Sequence, residues 1–288
     1  PGWSCALEKL QAYRITSVNG DSSQNDVFYY GLIAKPASGS SPSGLGSVTV
    51  LVDDDLASSP DALNAIGLDG DLNTAAHEIG HNHGRNHVEN KHEDDNQDID
   101  NDVCALPGGV DENYPYNSVG AKYGRIGITG FHHKQQQFYE KSWYHDVMSY
   151  CNKQWISDYT YKALHDFSRS LDRYFSHRET ANNAYIQKIE QVQKGLKITG
   201  EKQYNQWKIN HILSVNGTRH RPKEPGRYQV LATNLNGETF QETFHLHHYD
   251  HINKSGFNAF IPTLLPIKEI QIIDLNTKKI IFKQIVEE

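Results

Sequence analysis

The segment His77-Glu-Ile-Gly-His81-Asn-His-Gly84-Arg-Asn-His87 constrains this chain more than any other. His77 and His81 are four residues apart, so on a helix they project from one face, about 40° apart in azimuth. Two imidazoles so placed can share a metal ion, and Glu78 stands close enough to hold a water at that metal. A third ligand cannot come from the same helix. His87 lies ten residues beyond His77, which on a continuous helix is about 15 Å along the axis and off the shared face. The helix must break after His81, and Gly84 sits where a residue tolerant of positive φ is needed. Three histidines leave the fourth position open, as a catalytic zinc site requires. His83 falls on the opposite side of the helix from His77 and is not counted as a ligand.

The chain has 16 histidines, so HExxH alone would arise by chance in roughly one of twenty chains of this composition. The added Gly and His at fixed positions lower that by about two hundredfold. A helix bearing accidental, solvated histidines is therefore the minor reading.

A second element is His145-Asp-Val-Met148-Ser-Tyr150, which holds the only methionine of the chain. An isolated Met reads as a filler of core gaps. This one follows the histidine motif by tens of residues and directly precedes a helical pattern. Together, HEIGHNHGRNH and DVMSY resemble the signature of the metzincin clan, HExxHxxGxxH followed by a Met-turn. The resemblance covers residues 77–87 and 146–150, with the following helix in the expected order.

The resemblance implies a secreted zinc-dependent endopeptidase. His77, His81 and His87 match the three ligands, Glu78 the general base, and Met148 the residue beneath the metal. Tyr150 matches a tyrosine that in astacins and serralysins reaches the zinc and swings to the transition state. The implied reaction is hydrolysis of a peptide bond by a metal-activated water that Glu78 deprotonates, and Glu78 then protonates the leaving amine. A strand near Ser47–Val52 would hold the substrate as an added strand. Residue 88 is Val where astacins carry Glu and adamalysins Asp, so neither family is assigned. Only 76 residues precede His77, short for the clan's N-terminal sheet. Pro1 with no signal peptide reads as a processed or cut chain. Two rivals stand beside the peptidase: a catalytically silent zinc-bearing adhesin or binding protein acting through its C-terminal region, and a zinc hydrolase of a non-peptide bond. An intact Glu78 disfavours the first, because a structural zinc site has no use for it.

Composition sets the frame. A chain of 288 residues is ample for two domains. The net charge of -7 disfavours a nucleic-acid partner, and no apolar run approaches the roughly 20 residues of a membrane span. Cys5, Cys104 and Cys151 have no CxxC spacing. Cys104 and Cys151 flank a long loop, and either a bridge between them or buried thiols fits. Asp98, Asp100 and Asp102, with Asp94 and Asp95, could ligate calcium. The loop lacks the glycine and closing Glu of an EF-hand, so a solvated acidic loop is the leading reading. His132 and His133 read as surface residues, and Asn216 and Asn253 lie in glycosylation sequons.

Periodicity predicts a helix over 3–14, strands at 27–34 and 47–52 with a Pro/Ser/Gly loop at 36–46, and a helix start capped by Asp71, Asn73 or Thr74. A further helix is expected over 156–175 with Ser157 as its N-cap. Segments 206–215, 226–234, 238–247, 268–275 and 278–286 read as strands, with hairpin turns at Asn236-Gly237 and Asn276-Thr277. The expected fold is α+β. A metzincin-like domain of two lobes with the zinc cleft between them spans 1–178, and a linker spans 179–194. A small all-β, Ig-like sandwich follows over 195–288, a candidate for binding a glycan or a surface.

Overall fold

The computed structural model describes residues 2–17, 27–34, 43–49, 51–52, 55–56, 63–88, 110–116, 124–184, 193–217, 225–249, 253–263 and 265–286. These residues form a mixed α+β, strand-rich fold with three helices. In chain order the elements are α1 (Gly2–Ser17), β1 (Tyr29–Ile33), β2 (Gly44–Val48), β3 (Leu51–Val52), β4 (Asp55–Leu56), β5 (Asn64–Leu68) and α2 (Leu72–Asn82). Then follow β6 (Gly130–His132), β7 (Gln137–Tyr139), β8 (His145–Asp146), β9 (Gln154–Trp155) and α3 (Asp158–Ala184). The strands β10 (Gln193–Gln203), β11 (Gln206–Gly217), β12 (Tyr228–Asn234), β13 (Thr239–Phe244), β14 (His247–Tyr249), β15 (Lys254–Ile261), β16 (Ile267–Asp274) and β17 (Lys279–Ile285) complete the order. Among the described residues no helix is long and apolar enough to cross a membrane.

One sheet of seven strands, in the order β1-β5-β2-β14-β15-β10-β11, runs through both halves of the sequence. β1 and β5 are parallel, β2 is antiparallel to β5, and β14 closes on the far edge of β2 through the pairs His248↔Val48 and Tyr249↔Ser47. The ladder is therefore continuous across the boundary expected near residue 195. A second sheet, β13-β12-β16-β17, packs against the C-terminal part of the first. Ile198, Phe257, Ala259 and Ile261 from the large sheet meet Tyr228, Val230, Ala232, Ile270 and Ile272 from the small one in a single core cluster.

α1 is longer at both ends than the expected 3–14, and its buried stripe is Leu7, Gln11, Arg14 and Ile15. Tyr13 is exposed, whereas Arg14 faces inward and is buried. Its guanidinium donates to the Val27 carbonyl at 3.3 Å and lies 5.6 Å from the Tyr29 ring centroid. The helix bridges the sheet. Leu7 packs with Leu45, Ile66 and Tyr249, and Ile15 with Val215 and Phe260.

The expected loop at 36–46 ends earlier than predicted, because Gly44, Leu45 and Gly46 already belong to β2. The reason is the helix above them. A Cβ at Gly44 would come within 2.6 Å of Glu78 Cγ, and one at Gly46 within 2.9 Å of Glu78 Oε2. Period-two spacing puts both glycines on one face, leaving a groove for the glutamate. Of the three candidate caps for α2, Asp71 is the one used: its Oδ1 accepts from Thr74 N at 3.0 Å. Ser157 caps α3 as expected, its hydroxyl accepting from Thr160 N at 3.1 Å. α3 continues to Ala184 and β10 begins at Gln193, so the expected linker over 179–194 is partly helix. On α3 the inward residues are Phe167 and Leu171, which cluster with Leu63, whereas Tyr161 is exposed.

Candidate metal centre

Helix α2 lies on β2 and β5, and its end is tied to both. Asn82 Nδ2 donates to the Ser47 and Asn64 carbonyls, each at 2.9 Å, and Thr49 N donates to His81 O at 3.1 Å. The helix so anchored carries His77 and His81 one turn apart, both buried, with the His81 Cβ beside Gly46 of β2. After Asn82 the helix stops. Gly84 takes φ +74°, the left-handed conformation that the sequence spacing demanded, and a Cβ there would approach Thr49 O to 2.9 Å. The chain then turns back and delivers His87.

The ligand atoms of His77, His81 and His87 lie within 4.8 Å of one another, and all three residues are buried. They form a triad that could hold a metal ion. Among the described residues it is the only such group of three or more His, Cys, Asp or Glu side chains. The arrangement passes a test of fit. His77 Nδ1 donates to the Val147 carbonyl at 2.8 Å and His81 Nδ1 to the Arg85 carbonyl at 2.6 Å. A carbonyl accepts only, so both rings carry their proton on Nδ1 and present a bare Nε2. Those two Nε2 atoms are 3.2 Å apart. Two nitrogens bound tetrahedrally to one zinc at about 2.0–2.1 Å would be about 3.3–3.4 Å apart.

Glu78 is 1% exposed, set in the groove left by Gly44 and Gly46. Tyr30 on β1 senses it: burial first, and then the carboxylates of Glu78 and Asp71, push the phenol up to about 12. The Tyr150 hydroxyl is hydrogen-bonded to His87 Nε2 at 2.6 Å, at the convergence point of the triad. Met148 is fully buried beneath α2, against Gly80 and in a cluster with Val88 and Tyr114. The residues around it are pinned by Asp146, whose carboxylate accepts from Met148 N at 2.8 Å and Ser157 N at 2.9 Å. Burial raises the Asp146 pKa against those hydrogen bonds. The 146–150 turn is thereby fastened to the N-terminus of α3.

The structure thus brings together His77, Glu78, His81, Gly84, His87, Met148 and Tyr150. His83 points elsewhere, stacking flat on Phe28 at 4.6 Å. Cys151 is buried at the end of the Met148 turn, Cys5 is exposed and free, and Cys104 lies outside the described residues. Asp94, Asp95, Asp98, Asp100 and Asp102 lie outside them too. His132 is partly buried and His133 exposed, and neither belongs to the triad.

The edge expected to receive a substrate strand is already used, since β14 pairs with Ser47 and Val48. Sequence reasoning missed this because β14 is only three residues long and remote in the chain. It also missed Gly44, Gly46, Tyr30 and Asp146. The Gly-x-Gly alternation at 44 and 46 was the one available signal. Comparison with protein-family models, with curated proteins and with solved structures finds no match to this chain.

Proposed function

We propose that this chain is a zinc-dependent endopeptidase of metzincin type. In this reading the His77–Glu78–His81 helix, the Gly84 turn and the Met148 turn play the parts they have in that clan, around a cleft between two lobes. The observation that carries the reading is the convergence of three buried histidines beside a buried glutamate. Neither surface chance nor a purely structural ion calls for that glutamate. The same reading makes the protein secreted, with a Cys104–Cys151 bridge and with the paired C-terminal sheets as an Ig-like sandwich.

A zinc ion bound by His77, His81 and His87 would supply a Lewis acid and lower the pKa of water there. Glu78 takes the proton from the attacking water and hands it to the leaving amine. Its groove under β2 shields it from bulk solvent, and this strengthens its electrostatic hold on the water. Tyr150 offers a hydroxyl donor to the developing oxyanion. The Val147 and Arg85 carbonyls keep His77 and His81 in the ligating tautomer.

The test is Glu78→Gln in the full chain. Metal analysis and a peptide library are expected to show retained zinc, an unchanged fold and hydrolysis reduced by about 10²–10⁴-fold or more. Wild-type turnover by the purified variant would defeat the peptidase reading and favour the silent binding protein.

A further inference from the structure

Between His81 and His87 runs a short segment that carries Arg85. Its backbone serves His81: the carbonyl accepts from His81 Nδ1 at 2.6 Å, and its own N–H donates to Gly80 O at 3.1 Å. Its side chain turns the other way. Nη2 meets Asp111 Oδ2 at 2.5 Å, with side-chain exposures of only 13% and 11%. Asp111 in turn serves His87. Its N–H donates to the His87 carbonyl at 2.7 Å, and Val110 beside it forms a parallel bridge with His87. Tyr159 on α3 closes the arrangement, donating to Asp111 Oδ2 at 3.0 Å while the guanidinium sits 4.9 Å from its ring centroid. Asn113 N holds the other carboxylate oxygen at 3.0 Å.

An ion pair this buried gives weak net stability, because desolvation offsets most of the attraction. What it does give is fixed geometry: a fully hydrogen-bonded carboxylate and a stacked guanidinium have one arrangement. Here that arrangement joins the residue that orients His81 to the residue that holds His87. We propose that Arg85 and Asp111, braced by Tyr159, are positioning residues that hold His81 and His87 in ligating geometry. The inference rests on the metal-centre reading above. It assigns to a side-chain pair that supplies no ligand the setting of the site's metal affinity.

The test is chelator-competition titration of the metal-free full chain with zinc, and the visible absorption of its cobalt(II) form. Asp111→Asn keeps the shape and removes the charge. It is expected to weaken zinc binding about 10–100-fold and to shift the cobalt bands at saturation, which simple loss of stability would not do. Tyr159→Phe removes one hydroxyl and is expected to weaken binding several-fold, so it decides the matter should Asp111→Asn fail to fold. A wild-type chain that binds no zinc would overturn the centre and this inference together. Tight wild-type binding with unchanged affinity and cobalt spectrum in the variants would overturn this inference alone.

Discussion

Gly80 and Met148 meet with no side chain between them: a Cβ on Gly80 would run into the Met148 sulfur. Helix α2 can settle onto the 146–150 turn only because residue 80 is bare. The closeness lets the Val147 carbonyl reach His77 Nδ1 at 2.8 Å and the Met148 carbonyl take the Val88 N–H at 3.1 Å. Gly80→Ala is expected to overpack this contact at a cost of about 1–3 kcal/mol and to lower the metal content. Met148→Leu, which conserves volume, is expected to cost less than about 1.5 kcal/mol. Thermal melts of both variants with metal analysis check the pair. A Gly80→Ala protein as stable and as metal-rich as the parent would show that the close approach is not required.

The three histidines are expected to matter about equally, despite their different settings. His77 and His81 are held by the helix and by backbone carbonyls, whereas His87 arrives from the Gly84 turn. His87→Ala should therefore lose zinc and activity about as severely as His77→Ala. Normal zinc retention in His87→Ala would reduce the site to two ligands and remove the need for the turn.

A pH effect follows from the contact of Glu8 on α1 with Glu201 on β10. Burial first, then the hydrogen bond and charge of Glu201, push Glu8 up to about 7. Burial also raises Glu201, but its bonds with Glu8 and Lys254 outweigh that and leave it below its ordinary value. Lys254 Nζ lies 3.1 Å from both Glu201 oxygens. A folded-state acid pKa above the unfolded value, about 4.5, means that the folded state binds the Glu8 proton more tightly. The stability that Glu8 contributes is thus fully present at acid pH and is lost as pH rises from about 4.5 through about 7. His83, His211 and His248, all held below their ordinary value by partial desolvation, act in the opposite sense. The measurement is therefore the difference in melting temperature between wild type and Glu8→Gln across roughly pH 5 to 8. Glu8→Gln should gain on the wild type as pH rises, and parallel curves would contradict the shared proton.

Much of the centre was legible because its determinants are local. The spacing of His77 and His81, the need for a break at Gly84 and the cap at Asp71 or its neighbours all follow from helix geometry over a dozen residues. Strand β12 was legible for a similar reason, since buried and half-buried positions alternate along it. β15 was not, because seven of its eight residues are buried and no alternation remains. The rest was hidden by distance along the chain. Nothing near Arg85 announces Asp111, and nothing near Ser47 announces His248. Likewise, nothing in the β-rich C-terminal sequence reveals that its sheet continues into the strands beneath α2.

That continuity decides the last prediction. A chain ending near residue 190 keeps every residue of the triad, and the two-domain reading of the sequence expects partial dependence on the C-terminal region, with peptide cleavage weakened but present. The packing argues otherwise. Removing β10 to β17 strips Tyr249 from the cluster of Leu7, Leu45 and Ile66, and Val215 and Phe260 from Ile15. It also unpairs the Ser47–Val48 edge of β2, the strand on which Glu78 rests. Each large apolar side chain lost from a core is worth about 1.5–3 kcal/mol, against a total stability of about 5–15 kcal/mol for a typical domain. Three such losses, with the bared strand edge, remove most of that margin. The truncated chain is expected to be insoluble, or soluble without cooperative unfolding, and to bind zinc poorly. Circular dichroism melts and limited proteolysis of a set of truncated chains, each ending between residues 185 and 195, would measure this. A cooperative, zinc-binding fragment would mean that α1 and β2 hold together without the C-terminal strands, and that β14 is a guest on the sheet rather than part of its frame.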